Sequence, residues 1–268
     1  MYPPHVRRDA VSLLDGGLSY SEVSKRLGIS RYTLRTWNRQ RALVDKYRDH
    51  GSCARCEPIP RWPEPHPDYA YLLGLYLGDG CISTTGDPAK QVWSLRIFCA
   101  DAWPGLTEEC VRAFRSLRPS HSVHVVDRAG CKEVCARWKH WPCLFPQHGA
   151  GPKHGRPIRL EDWQRKIVEK YPRDFARGLF HSDGCRVNNR VRRKVLGEWI
   201  HYEYPRYFFS NTSADIHGLL CEALDLIGVE WRLRWKKAKK DTHRDAGILS
   251  VAKRDSVALL DTFIGPKS

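Results

Sequence analysis

The chain has 268 residues, with 45 Lys plus Arg against 30 Asp plus Glu and a formal net charge of +15; its pI is near 9.5. That balance points to a polyanionic partner, nucleic acid first of all. No apolar run approaches the roughly 18 residues of a membrane span, and the opening MYPPHVRRDA is not a signal peptide. The expectation is therefore a protein with no membrane partner, cytoplasmic, and on the nucleoid in a prokaryote.

The first forty residues contain three short amphipathic segments, PPHVRRDAVSLLDGG, SYSEVSKRLG and SRYTLRTWNRQ. Ser19 and Glu22 fit a capping box, Gly28 a helix stop, and Ser30 a cap for the third segment. Val11, Leu14, Val23, Leu27, Ile29, Leu34 and Trp37 fall at spacings that share one small core. This is the pattern of a helix-turn-helix domain over 1–47, and it resembles those of transposases and site-specific recombinases. The residues left outside the core of its third helix, Arg31, Tyr32, Arg35, Asn38 and Arg39, suit phosphates and base edges in a major groove.

Residues 48–67 are rich in Pro, Gly, Cys and charge and read as a linker. Cys53 and Cys56, in CARC, have metal-ligand spacing, and Cys131 with Cys135 is a looser pair. A structural Zn²⁺ site needs four ligands. With no convincing second half, two thiols in a linker is the reading that comes first. Most of the ten cysteines sit in apolar runs and read as buried free thiols.

Beyond the linker the chain repeats itself. DYAYLLGLYLGDGCIS and RDFARGLFHSDGCRV align on Asp79 and Asp183, 104 residues apart, with five identities in the eight positions 74–81 and 178–185. Strand-like text (SLRIFCAD; YFFSNTS), a helix (PGLTEECVRAFRSL; SADIHGLLCEALDLIG) and two more strand-like segments follow each copy. The divisions expected are repeat 1 at 68–150, a basic connector and helix at 151–170, and repeat 2 at 171–268.

Each repeated segment has small residues four apart, Gly74 with Gly78 and Gly178 with Ser182, which makes a smooth stripe on one helix face. Two such helices can pack almost backbone to backbone and bring Asp79 and Asp183 together at their ends. Gly80 and Gly184 end the helices, so each Asp falls in a last turn where the helix dipole disfavours an anion. A hard divalent cation, Mg²⁺ or a similar ion, would relieve both and share a substrate phosphate. Metal ions so held can activate water and stabilise the leaving oxygen in phosphodiester hydrolysis. Read singly, Asp-Gly is no more than a turn signal; the matched pair is what carries the functional reading.

LLGLYLGDG and ARGLFHSDG resemble the two LAGLIDADG motifs of single-chain (DOD-type) homing endonucleases, over residues 68 to 268. The resemblance implies an α+β fold: a pseudo-twofold pair of αββαββα repeats in a monomer, each laying a curved antiparallel sheet on double-stranded DNA. It implies Asp79 and Asp183 as catalytic, metal-binding acids, and a basic residue near each, for which Lys139 and Lys253 are the expected positions. Leu77, Arg177 and His181 depart from the motif's letters at positions that affect helix packing, not metal binding. Inteins often carry such domains, but the chain lacks a splicing residue at its start and a His-Asn pair at its end, so self-splicing is not expected.

For DNA contacts, WRLRWKKAKK alternates Trp231, Leu233 and Trp235 with Arg232, Arg234 and Lys236, an apolar and a basic face of one strand. Residues 231 to 254 hold nine Lys or Arg and two acids. CARWKHW adds Arg137, and Arg186, Arg190, Arg192, Arg193 and Lys194 crowd the loop expected after the second motif. Lys153, His154, Arg156 and Arg159 in the connector either cross the DNA backbone or solubilise a linker. The function expected is a sequence-specific, Mg²⁺-dependent double-strand endonuclease; the alternative is a non-cleaving DNA-binding regulator on the same scaffold.

Overall fold

The structure, a computed structural model, describes residues 4–39, 66–86, 92–119, 121–149, 151–238, 244–265 and 267. Cys53, Cys56, the linker up to residue 65 and the side chain of Arg39 lie outside the described residues. The chain divides into two compact units, one holding residues 4–39 and the other running from residue 66 onward.

In the first unit α1 (Pro4–Asp15), α2 (Tyr20–Leu27) and α3 (Arg31–Arg39) form the three expected helices. Their ends follow local chemistry. Glu22 N–H donates to Ser19 Oγ at 3.3 Å and Ser19 N–H to Glu22 Oε2 at 2.7 Å, a reciprocal capping box. Gly28 ends α2 in the left-handed region at φ 66°, which costs a residue without Cβ little. Thr33 N–H bonds Ser30 Oγ at 3.1 Å to start α3. Ala10, Val23, Ile29 and Leu34 are buried, with Leu13, Leu14, Leu27 and Trp37 packed on them. Val11 is only half-buried: the side of α1 that carries Ala10, Leu13 and Leu14 faces inward instead.

The second unit contains one αββαββα pattern twice. The first copy is α4 (His66–Asp79), β1 (Gly80–Thr84), β2 (Trp93–Ala100), α5 (Pro104–Leu117), β3 (Val123–Arg128), β4 (Cys131–Trp138) and the short α6 (Trp141–Leu144). A 3₁₀ turn (Lys153–Gly155) and α7 (Asp162–Lys170) lead to the second. That copy is α8 (Pro172–Asp183), β5 (Gly184–Val195), β6 (Glu198–Asn211), α9 (Ala214–Ile227), β7 (Arg232–Lys236), β8 (Ala246–Val251) and α10 (Arg254–Asp261). Each copy folds its strands into one antiparallel sheet, ordered β1-β2-β4-β3 and β5-β6-β8-β7. Register puts Leu95, Ile97, Val134 and Ala136, and in the second sheet Phe209, Leu249 and Val251, on the buried faces. Arg96, Arg137, Arg232 and Arg234 fall on the opposite faces.

The text after the second motif is not a loop. Residues 184–195 are β5, paired with β6 from Gly184↔Phe209 out to Val195↔Glu198. Only Tyr207–Asn211 of β6 also pairs with β8, so the outer part is a free two-stranded ribbon. Val187 and Val191 alternate with basic residues there, a strand pattern hidden by charge.

Helices α4 and α8 join the repeats. Helix α4 is buried without interruption from Tyr69 to Leu77, as a helix with neighbours on all sides must be. A Cβ on Gly74 would stand 2.8 Å from Leu179 N and 2.9 Å from Gly178 Cα. One on Gly178 would stand 3.0 Å from both Gly74 Cα and Leu75 N. The small-residue stripe therefore lets two backbones touch, which any larger residue would forbid.

Candidate functional site

Both motif helices end on their acids, Asp79 in α4 and Asp183 in α8. The backbone approach fixes where the carboxylates go: a Cβ on Gly78 would lie 3.2 Å from Asp183 Oδ2, so the Asp183 carboxylate sits beside the end of α4. The crowding shows in their protonation. Removal from water, then the Asp183 charge, push Asp79 up to about 6, against the pull of Lys153 and Lys267. Asp79 keeps an open outer edge, and Asp183 is half-buried. Burial also raises Asp183, moderated first by a hydrogen bond from Asn211 Nδ2 to its Oδ2 at 2.6 Å.

Two lysines close the site. Lys153 Nζ donates to the carbonyls of Gly78 at 2.8 Å and Gly80 at 2.7 Å and also to that of Tyr76. Lys267 Nζ donates to Ser182 O at 3.0 Å. Gly78 and Ser182 are equivalent motif positions, so the two lysines bind equivalent places. Both ammonium groups are held below their ordinary range by burial, Lys153 at about 8. They satisfy carbonyls left open at helix C-termini and set positive charge where the dipoles are negative.

The basic residues expected near the acids were Lys139 and Lys253. Lys139 is exposed in the turn after β4. Lys253 precedes α10 and pairs with Glu230. The lysines that act on Asp79 and Asp183 are Lys153, from the connector, and Lys267, from the C-terminal segment. A signal for them stands in the sequence: Gly151-Pro152-Lys153 recurs as Gly265-Pro266-Lys267, and Gly151 and Gly265 both have positive φ, 84° and 71°. Asn211 carries no such signal, since its counterpart is a different residue. Arg156 of the connector also turns inward, with Nε and Nη2 donating to Gln147 O at 3.1 and 3.0 Å.

The departures from the motif's letters have partners. His181 is buried, with Nδ1 2.9 Å from Tyr71 Oη and Nε2 2.8 Å from Ile264 O; burial holds it down at about 4, hence neutral. Arg177 pairs with Glu109 and lies 4.9 Å from the Tyr71 ring centre. Helix α8 thus keeps its close approach with two polar residues in the seam.

Among residues singled out for DNA, Arg31, Tyr32 and Arg35 are exposed on α3, Tyr32 at 82%. Asn38 is turned aside, its Nδ2 2.5 Å from Tyr20 Oη. Arg137, Arg193, Arg232, Arg234 and Lys236 are exposed, on sheet faces away from the core. Arg192 stacks on Trp199 at 4.3 Å. Arg186 is committed elsewhere: register puts it beside Tyr207 on the helix side, where it makes a two-pronged pair with Asp261 at 2.7 and 3.0 Å.

Residues 1–47 match the sequence profile of a family described as HTH_Tnp_1, transposase. No curated protein matches the chain. Among solved structures, a mesophilic variant of the homing endonuclease I-DmoI superposes with a TM-score of 0.50 at 15% identity, covering 74% of this chain and 96% of that one. I-DmoI in complex with DNA and Mn does so with 0.50 at 15%, covering 75% and 97%. The N-terminal LAGLIDADG domain of DUF199/WhiA gives 0.44 at 10%, covering 75% and 81%. The two-repeat unit, with its paired motif helices and twin sheets, has the LAGLIDADG fold of homing endonucleases.

Proposed function

We propose that the protein is a sequence-specific, divalent-cation-dependent DNA endonuclease, with Asp79 and Asp183 as its acids and Lys153 and Lys267 as their basic partners. The observation that carries this reading is the convergence of the two carboxylates at the ends of packed helices, where burial and the neighbouring Asp183 charge raise the proton affinity of Asp79. Stability alone would not place two acids there.

The donor set fits Mg²⁺. Among the described residues no group of three or more His, Cys, Asp or Glu surrounds a point, so the chain offers two carboxylates and leaves the remaining positions to water and phosphate, the usual pattern for that ion. Bound there, the cation would supply a hydroxide nucleophile and neutralise the leaving oxygen. The chain's own part is positional. The helix pair fixes both carboxylates, Lys153 and Lys267 hold the helix ends and offer positive charge to a phosphate, and the outer sheet faces present Arg137, Arg232, Arg234 and Lys236 to the duplex. I-DmoI bound to DNA and Mn supports double-stranded DNA as the substrate. The helix-turn-helix unit would add affinity or site choice.

One observation favours the second reading, a DNA-binding regulator that does not cut. Two lysines already balance two carboxylates, so the site is neutral without a metal. Incubating the full chain with a randomised duplex library and Mg²⁺, beside an EDTA control and the Asp79→Asn, Asp183→Asn double variant, separates the two. Cuts that vanish in both controls are expected. Selective binding without cuts would sink the nuclease reading in favour of the regulator.

A further inference from the structure

We infer that Asn211 is a positioning residue that holds Asp183 and makes the two acids unequal, so that the DNA strand whose scissile phosphate lies against Asp183 is cut first. This rests on the nuclease reading above.

Asn211 ends β6, and its side chain is fixed from both ends. Ser213 N–H donates to Asn211 Oδ1 at 2.8 Å, so the other end of the amide must be the NH₂ group. That group points at Asp183 Oδ2, 2.6 Å away. The backbone is fixed too: His217 Nε2 lies 3.1 Å from both Asn211 O and Gly247 O, two acceptors that require the proton on Nε2. Gly247 faces Asn211 across the β6–β8 ladder, and a Cβ there would stand 2.6 Å from His217 Cδ2. A glycine on one strand thus makes room for the imidazole that anchors the asparagine on the next. Asp183 keeps one oxygen bound by the amide and the other available.

The first repeat has no such arrangement. Asn211 lies two residues beyond Phe209, the partner of Gly184; two beyond Ile97, the partner of Gly80, lies Cys99. Cys99 is a buried free thiol whose sulfur accepts a hydrogen bond from the Cys110 thiol. Among the described residues no hydrogen-bond donor reaches the Asp79 carboxylate. One acid is oriented before substrate arrives, the other must be ordered when it does.

The test uses the full chain, Mg²⁺ and a duplex target drawn from the randomised library, with each strand separately labelled and single-turnover rates measured. Wild type should cut one strand about tenfold faster, roughly one charged hydrogen bond's worth. Asn211→Ala should slow that strand alone and bring the ratio toward one, and Cys99→Asn should speed the slower strand. Equal strand rates in wild type, or an Asn211→Ala that slows both strands alike, would overturn the inference while the nuclease reading stands. No cleavage of either strand by wild type would remove both. A second readout needs no metal: the Asn211 side-chain amide should show a downfield, slowly exchanging proton by NMR, lost in Asp183→Asn and kept in Asp79→Asn. A signal that survives Asp183→Asn would mean that the amide is held by something other than that carboxylate, and would overturn the inference.

Discussion

The two repeats agree in what surrounds the acids and differ in how far they reach from them. Both have the motif helix, the same sheet order and a lysine on the carbonyl before the acid. From Gly80 to its partner Ile97 the first hairpin spans 18 residues; from Gly184 to Phe209 the second spans 26. Asp79 and Lys153 are 74 residues apart and Asp183 and Lys267 are 84, so eight of the ten additional residues lie in that one hairpin. Insertion at a hairpin tip leaves helix packing untouched, whereas any insertion in the motif helix would rotate its acid out of place. The site tolerates divergence only away from its own geometry.

The largest effect should come from breaking what the repeats share. Asp79→Asn and Asp183→Asn, made singly, should each lower double-strand cleavage by about a thousandfold, since each acid supplies half of a cation site worth several kcal/mol. Plasmid linearisation measures it, and a single variant at wild-type rate would mean that the acids do not act as a pair. Next is the seam. Gly178→Val should destabilise by about 3–5 kcal/mol, because its side chain would meet backbone and not the movable end of a side chain. Ser182→Ala should cost about 1 kcal/mol or less in the same urea titration.

That seam was legible in the sequence because it depends on small residues at helical spacing, and the spacing survives translation into structure. The sheets were legible as alternating text, except β5, where Arg190, Arg192, Arg193 and Lys194 mask the period. A free ribbon buries little, so its hydrophobic signal is weak for a physical reason. The resemblance points to lysines at strand ends, Lys139 and Lys253, whereas the lysines bonded to the ends of the motif helices are Lys153 and Lys267. The lysines arrive instead from segments after each repeat, brought back by tertiary folding that local pattern does not encode; only the recurrent Gly-Pro-Lys marks them. Asn211 was illegible for the opposite reason, since a device found in one repeat leaves no repeat to find.

The lysines offer a subtler test of equivalence. Lys153 bonds three carbonyls and Lys267 one. Lys153→Met should therefore destabilise by about 2–3 kcal/mol and Lys267→Met by about 1 kcal/mol. Equal losses in urea midpoints would mean that the additional carbonyls add nothing. The ribbon tests inequivalence directly. Eight additional residues lengthen a hairpin by four rungs, about 14 Å at 3.4 Å per residue, or about four base pairs along a major groove that admits a two-stranded ribbon. Replacing Arg190, Arg192, Arg193 and Lys194 by Gln should shorten the DNA footprint at one end only and reduce the salt slope of binding by about 3. Shortening at both ends would refute a one-sided role for the ribbon.

The smallest effect separates the acids themselves by pH. Asp79 is raised to about 6, so its charged form is disfavoured in the native state. The stability it lends is present in full when the unfolded carboxyl is protonated, below about 4, and is lost as pH rises through 6. Asp79→Asn keeps the shape and removes the charge, so it should match wild type at pH 4 and exceed it above pH 6. Solvent at the open edge of Asp79 reduces the gain to about 1 kcal/mol, or about 2–4 °C in melting temperature. Asp183→Asn should gain less, because it gives up the charged bond from Asn211. Mg²⁺ at pH 8 should reverse the order, stabilising wild type by binding the native state and leaving the Asn variants behind. Calorimetric scans at pH 4 and pH 8, with and without Mg²⁺, measure all of this. A variant no more stable than wild type at pH 8 without metal would mean that the two carboxylates do not oppose each other, and the convergence on which the nuclease reading depends would fail with it.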